Sequence, residues 1–514
     1  MGKAGSPVPS GTQALINTAA RMAQAGSVED AIAKYREVLT SEPGHVTAHA
    51  QLGNLLVSMG RIKDGAAHIE RSVPLAKATE GQALNLANQL ARYGEVDRAT
   101  KVADRFLMLH PKSPSVLTFK GVHQEKQNRH GEAMLTFRMC LKLAPGAPQA
   151  TAGLARCYRR RKEYREAKTL LEACIASRSA TDPSMNTLFN ELGVTNEKLG
   201  LYDDAFEAYR RCGELERGTP EAKAFLESSL HDDIDRLTQW VQSGRFEETR
   251  ERLIHPRTVD RRQLVFLLGF PRSGTTLTES VLSSHSQIES SDEMPLLSRA
   301  IKYLSEASGE RDLVALMEGA SAAGLAEARE AYWAEAEKHF DTGASVFIDK
   351  MPLNVINLPI IDILFPDSKI IVALRDPRDV CLSCFAQLFR LNAGMAQFTS
   401  WPGTTDFYRR VMGYWGNIKQ SLRAPWVETR YEDLVVNLRE RSGFLLEHIG
   451  VSWEDAILDH HEKAKERTSR TPNFQAIREP IHNKAIGKWK NYPSAMTSAH
   501  GNLHRFVEQL GYDG

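Results

Sequence analysis

The stretch LLGFPRSGTTLTESVL, residues 267–282, opens apolar, turns between two glycines and continues as a helix. The run Leu264–Gly269 is short, continuous and apolar, which predicts a buried parallel strand. Thr275 fits a helix start. Strand, glycine-bounded turn and helix together aim backbone N–H groups and the helix dipole at an anion. Gly269 and Gly274 are separated by four residues, as in an ATP-binding loop, yet Thr275 stands where that loop carries its lysine. The loop can still hold one phosphate and its substituent, with Arg272 adding charge inside the turn. A nucleotide with a different kind of phosphate chain is expected.

Two segments downstream extend this reading. KIIVALRDPRDVCLSCF (369–385) begins with an apolar strand, Lys369–Leu374, breaks at Asp376-Pro377 and resumes as a helix. Arg375 falls at the carboxyl end of that strand, where open α/β sheets bind ligands. Ser383 lies eight residues on, about two helical turns, so that both side chains can face one phosphate. A third strand, Ser345–Ile348, precedes Lys350 in VFIDKMPLN.

Taken together, these motifs resemble the sulfotransferases that use 3′-phosphoadenosine 5′-phosphosulfate (PAPS), and most closely the tyrosylprotein sulfotransferase branch. The similarity covers residues 261–495. It implies an α/β, P-loop-like domain with a central parallel sheet, working without a metal. Arg272, Ser273, Gly274, Thr275 and Thr276 match the family's 5′-phosphosulfate loop. Arg375 and Ser383 match its 3′-phosphate pair, and Lys350 matches the lysine that contacts the sulfonate. The family's general base is a glutamate 21 residues after the loop arginine, in a Glu-Glu pair; here Asp292-Glu293 stands there, with Glu293 at that spacing. Tyr431 in RYEDLV matches a tyrosine of the nucleotide site. QAIREPIHNKAIGKWKNY (475–492) resembles the closing segment, with Arg478 at the 3′-phosphate, and Thr471 stands for a serine that contacts the sulfonate. PAPS carries a sulfonate where ATP carries its β-phosphate, so less charge needs neutralising. The absent lysine follows from that.

The resemblance assigns Glu293 to remove the acceptor hydroxyl's proton during in-line attack on sulfur. It assigns Lys350, Arg272 and the loop amides to the charge that builds on the sulfonate and bridging oxygens. His285, in SSHSQ at a helix end, reads as structural. The pair His460-His461 lies on a charged helix and reads as solvated. The related branch has a basic residue two positions after the base, which grips acidic residues around a target tyrosine. Pro295 takes that place here, while Arg299 keeps a second basic position.

The first half repeats itself. Ala31, Ala99, Ala133 and Ala167 are separated by 68, 34 and 34 residues, and Ala205 follows after 38. Gly65 fills the remaining position. Pro43, Pro111 and Pro145 keep the same beat. Tyr35, Phe137 and Tyr209 lie four residues after the small residue, where an aromatic would fill the gap to the next repeat. Cys140, Cys174 and Cys212 follow on the same helical face, as core. A period of 34 is that of tetratricopeptide repeats, which stack helical hairpins into a solenoid with a peptide-binding concave surface. The expected organisation is an all-α tetratricopeptide array over 11–220, a helical connector over 221–260 and the sulfotransferase-like domain over 261–514. RCYRRRKEYRE (156–166) reads either as a solvated helix face or as a site for an acidic partner.

Of the 514 residues, 25% are charged and 42% apolar, and the net charge is +1. No bulk field favours nucleic acid or an anionic membrane. The six cysteines form no disulfide framework, and the pair Cys381/Cys384 reads as small core residues. MGKAGSPVPSGTQ lacks an apolar signal segment, and no run reaches membrane-spanning length. A cytoplasmic location is the expectation. The family's Golgi members, by contrast, carry a membrane anchor and lumenal disulfides. The expected function is transfer of sulfonate from PAPS to an acceptor hydroxyl, protein tyrosine being one candidate, with the repeats recruiting a protein or peptide. The alternatives are a carbohydrate or small-molecule acceptor and a tetratricopeptide scaffold with an inactive nucleotide domain. A P-loop kinase is disfavoured by Thr275 and the lack of an evident magnesium-binding aspartate.

Overall fold

The structure, a computed structural model, describes residues 11–179, 181–253, 262–340, 343–466 and 481–512. The chain divides into two compact units, Met1–Gly200 and Leu201–Gly514.

In the first unit, small residues sit where helices cross. Successive antiparallel pairs run from Gly11–Gln24 with Val28–Ser41 through Pro148–Arg160 with Tyr164–Ala176, and Met185–Lys198 follows. Ala31, Ala99, Ala133 and Ala167 are fully buried. Phe137 is the clearest wedge. A Cβ on Gly121 of the helix Pro114–Lys126 would lie 2.6 Å from its ring, and one on Gly153 of Pro148–Arg160 would lie 2.3 Å away. One aromatic therefore fixes the approach of two neighbouring helices, as the repeat spacing predicts. Gly153→Ala is expected to destabilise this unit by about 1–3 kcal/mol, because a close-packed core cannot absorb the methyl. Denaturant unfolding of the full chain checks this; stabilisation, the ordinary result of Gly→Ala in a helix, would contradict the wedge.

In the basic run 156–166, Arg160, Arg161, Lys162 and Arg165 are exposed, while Arg156 and Arg159 are partly buried in ion pairs. Arg156 bridges Glu125 (2.8 Å) and Glu191 (2.8 Å), and Arg159 also pairs with Glu191. These three acid- and base-bearing helices are successive first helices of their pairs. The charges thus tie repeat to repeat.

The second unit begins at Leu201, inside the stretch that carries the repeat phase. Tyr202–Arg217 carries the phased Ala205 and Tyr209, but its Phe206 packs on Phe385 and Trp401, with ring centroids 5.1 and 5.7 Å away. Its Gly213 lies so close to the Thr399 carbonyl that a Cβ would come within 2.3 Å. The segment read as a connector is helical, at Pro220–Leu226, Leu230–Gln242 and Arg245–Leu253, and forms part of this unit's core. Trp240 and Phe246 are buried against each other, and Arg250 makes a buried ion pair with Asp362 at 2.7 Å.

The unit's sheet has five parallel strands: β1 (Gln263–Gly269), β2 (Ile288–Ser290), β3 (Val346–Lys350), β4 (Lys369–Leu374) and β5 (Trp426–Arg430). Their order is β2-β3-β1-β4-β5. β1 lies at the centre, and its residues Leu264–Leu268 are buried on both faces, as its continuous apolar sequence requires. Lys350 ends β3 rather than following it, paired in register with Leu267. No described helix is long and apolar enough to cross a membrane.

Candidate active site

All five strands deliver residues to the carboxyl edge of the sheet. β1 leads into the loop 270–274 and the helix Thr275–Leu282. Gly274 caps that helix with φ 102°, and a Cβ there would meet the Tyr431 ring at 2.8 Å. Gly269, at φ 147°, has no room for a Cβ against the Ala373 carbonyl at 2.5 Å. Both glycines are therefore demanded by conformation and by space. The amides of the helix's first turn have no acceptor within the helix. Thr275 is buried beside them and Thr276 is partly buried.

Arg375 directly follows β4 and Tyr431 directly follows β5. The Arg375 guanidinium lies over the Tyr431 ring, 4.9 Å from its centroid. Its Nη1 donates to the Arg272 carbonyl at 3.2 Å, and its Nη2 donates to the Ala485 carbonyl. Asp379 is 3.8 Å away, while Asp376 is engaged by Arg378. Arg272 in turn donates from Nε to Ser383 Oγ at 2.9 Å. The loop arginine thus joins the two segments expected to hold the two ends of the nucleotide. Loss of water around it pushes its pKa down to about 10, still cationic at neutral pH.

Two polar atoms at this edge, Ser273 Oγ and Arg375 Nε, are buried without a hydrogen-bond partner. An anion cradled by the loop is a group that satisfies such atoms, so the residues present fit a phosphorylated nucleotide. Among the described residues, no group of three or more His, Cys, Asp or Glu side chains is arranged to hold a metal ion.

At the opposite side of β1, β3 delivers Lys350 and β2 leads to Glu293. Lys350 has no exposed surface, and its Nζ lies 2.8 Å from Glu293 Oε1 and 3.0 Å from Glu279 Oε2. Burial alone would depress the ammonium, but the two carboxylates together hold its pKa above the usual lysine value. Burial pushes the Glu279 carboxyl up against the pull of Lys350. Glu279 Oε1 also accepts from Ser290 Oγ. Ser291 Oγ accepts from the Lys350 amide at 2.9 Å, which pins the end of β3. Arg272, Asp292 and Glu293 adopt φ of 72°, 47° and 62°. Among the described non-glycine residues only Asn128 and Lys162, in repeat turns, share that region, so backbone strain in the second unit gathers at this edge.

The structure brings Arg272, Ser273, Gly274, Thr275, Thr276, Lys350, Glu293, Arg375, Ser383 and Tyr431 to one sheet edge. Thr471 and Arg478 lie outside the described residues. The described end of the closing segment is latched to the helix that follows β4, Pro377–Phe385. Asp379 accepts from the amides of Gly487 (2.7 Å) and Trp489 (2.9 Å), and Arg378 stacks on Trp489 at 3.6 Å. His285 is buried and structural, with Nε2 2.9 Å from the Ser452 carbonyl. His460 differs from expectation. It is buried, with Nδ1 3.4 Å from Ser280 Oγ, and burial lowers its pKa to about 4. Pro295 is exposed before the helix Leu296–Ser308, and Arg299 is exposed on its first turn. Glu279 was absent from the sequence reading. Its only signal was an acid in a helix whose neighbouring positions are small or apolar.

Residues 264–455 match the model of the sulfotransferase family, and residues 152–212 match that of a tetratricopeptide repeat. An uncharacterized protein of Aquifex aeolicus is 27% identical over 312 residues, covering 59% of this chain and 39% of that protein. Protein-tyrosine sulfotransferase 2 of Gallus gallus is 24% identical over 265 residues, covering 49% of this chain and 69% of that protein. The solved sulfotransferase domain from the curacin biosynthetic pathway aligns at 19% identity and a TM-score of 0.35, over 49% of this chain and 98% of its own. The chain therefore spans less than half the length of the Aquifex relative and about two thirds of the Gallus one. On these matches, the chain carries a sulfotransferase-family domain preceded by tetratricopeptide repeats.

Proposed function

We propose that the protein transfers the sulfonate of PAPS to an acceptor hydroxyl. The acceptor read first is tyrosine in a protein or peptide recruited by the repeats. The observation that carries the reading is the order of groups along one sheet edge: Glu293 and Lys350 at β2 and β3, the loop at β1, Arg375 and Tyr431 at β4 and β5. Neighbouring strands lie about 4.8 Å apart, so the Lys350 end of β3 and the Arg375 end of β4, two strands away, are separated by about 10 Å. That is the span of a nucleotide carrying its reacting group at one end and a ribose phosphate at the other.

Each residue then has a task. The acceptor oxygen forms a bond to sulfur as the bond from sulfur to the 5′-phosphate oxygen breaks. Glu293 takes the acceptor's proton. Lys350, Arg272 and the loop amides offset the charge that builds on the departing oxygen. Ser273, Thr275 and Thr276 orient the 5′ side. Arg375 and Ser383 hold the 3′-phosphate with Arg478, while Tyr431 flanks the nucleotide and Thr471 meets the sulfonate. Tyrosine is favoured by the likeness to protein-tyrosine sulfotransferases such as the Gallus relative. A reducing, cytoplasmic location is supported by six cysteines that are all buried and form no disulfide.

The test is transfer of label from [35S]PAPS to an acidic tyrosine peptide and, in parallel, to an oligosaccharide. Label in the peptide alone upholds the reading, label in the sugar alone moves the acceptor, and label in neither overturns transfer to both acceptor classes. A second prediction concerns the phosphate end. Arg375→Ala is expected to weaken adenosine 3′,5′-bisphosphate by about 1.5–3 kcal/mol, or roughly 10- to 100-fold, since it removes a charged hydrogen-bonding partner. Calorimetry checks it; unchanged affinity would place the 3′-phosphate elsewhere.

A further inference from the structure

The cluster at β2 and β3 holds one more charge than the transfer reaction calls for. Two carboxylates meet one ammonium, and the second of them, Glu279, is buried on the helix that follows the phosphate loop. Its two oxygens have separate partners, Ser290 Oγ and Lys350 Nζ. The charges around it are Lys350, which attracts it, and Asp292, which opposes it; Glu293 faces the other side of Lys350. Glu293, with 31% of its side chain exposed, is the carboxylate of the pair that solvent reaches.

Consider what proton uptake does to this arrangement. A base that accepts a proton stops being a counterion. If Glu293 were the only partner of Lys350, each proton transfer would leave a fully buried ammonium unpaired, which is costly in a low-dielectric interior. A second, inaccessible carboxylate removes that difficulty. It keeps the ammonium paired whatever the state of Glu293, and it ties Lys350 to the loop helix and to β2 at once.

We propose that Glu279 is a positioning residue of the transfer site: its buried carboxylate is the standing counterion of Lys350, which leaves Glu293 free to take up the acceptor's proton. This rests on the sulfonate-transfer reading above for its purpose, but the pairing itself can be measured without any transfer.

The experiment compares wild type, Glu279→Gln and Glu279→Asp as full chains. The Lys350 side chain is followed by NMR of [ε-13C]lysine-labelled protein, its resonance assigned by its loss in Lys350→Arg. In Glu279→Gln, Lys350 is expected to lose its proton at lower pH, with proton affinity down about tenfold or more. Glu279→Asp, which keeps the charge, should recover part of that shift. In turnover, Glu279→Gln should lower kcat by about 10- to 100-fold while adenosine 3′,5′-bisphosphate binds within about twofold of wild type. An unmoved Lys350 titration, or a nucleotide affinity that falls as far as kcat, overturns the proposal. If Glu279→Gln does not fold, the double variant with Lys350→Met removes the ammonium that has lost its buried counterion and is expected to fold. A double variant as insoluble as the single one also overturns the pairing. Wild-type protein that transfers no sulfonate, yet whose Lys350 still responds to Glu279→Gln, upholds the pairing and sinks the transfer reading alone.

Discussion

Lys350→Met is expected to slow transfer severely and to destabilise the second unit by about 3–5 kcal/mol at neutral pH. Methionine has a similar length and keeps the apolar stem packed at the end of β3. What is lost is the ammonium between Glu279 (3.0 Å) and Glu293 (2.8 Å). Glu293 can turn to water, but Glu279 is buried and cannot. Its carboxyl then escapes the penalty only by holding a proton, so its pKa, already raised by burial, rises further. The sign of the pH dependence follows. An acid with a raised folded-state pKa incurs no penalty at low pH, where it is neutral in both folded and unfolded states. It loses stability as pH climbs through the folded-state value. The stability gap between variant and wild type should thus be small near pH 5 and widen towards pH 8. Denaturant titrations at those two pH values measure it. Equal stability at pH 8 would mean that the cluster is not held by charge. The expected fall in kcat is about 100- to 1,000-fold, the range seen when one preorganised donor is removed from a developing negative charge.

What the sequence disclosed was local or periodic. β4 runs over Lys369–Leu374, as its apolar run predicts, because a strand buried on both faces needs no alternation and its carboxyl end is marked by Arg375 and the Asp-Pro break. The repeats were legible because small residues recur with the helical hairpins they permit. The pairing of Glu279 with Lys350 was not legible. The two residues are 71 positions apart, and nothing in TTLTESVL says which face of an eight-residue helix will be covered. His460 misled for a related reason: HHEKAKE is charged along its length, yet its first residue is buried against the Ser280 helix. Phe206 and Gly213 keep the repeat's helix but answer to Phe385, Trp401 and Thr399, far along the chain. Periodicity reports how a helix can pack and leaves open which neighbour it packs on.

Glu293→Gln is expected to lower kcat by about 100- to 10,000-fold, the contribution typical of a positioned base, while leaving adenosine 3′,5′-bisphosphate binding within about twofold. The two effects separate because the base leaves β2 and the 3′-phosphate arginine leaves β4, with β3 and β1 between them. Glutamine keeps the size and can still accept a hydrogen bond, so the fold of the turn should survive. That turn is strained: Asp292 and Glu293 both adopt left-handed backbone conformations, which side chains with a Cβ disfavour by about 1 kcal/mol or more each. The strain aims Glu293 at Lys350 while part of its side chain stays open to solvent, as a base that must meet an incoming hydroxyl requires. Asp292 shares the strain, but the Lys350 ammonium lies 2.8 Å from Glu293, so Asp292→Asn should cost less activity than Glu293→Gln. Single-turnover transfer separates chemistry from binding. If Glu293→Gln weakened the nucleotide while its transfer step ran at the wild-type rate, or if Asp292→Asn took the larger loss, the proton would have to go to another group on this edge.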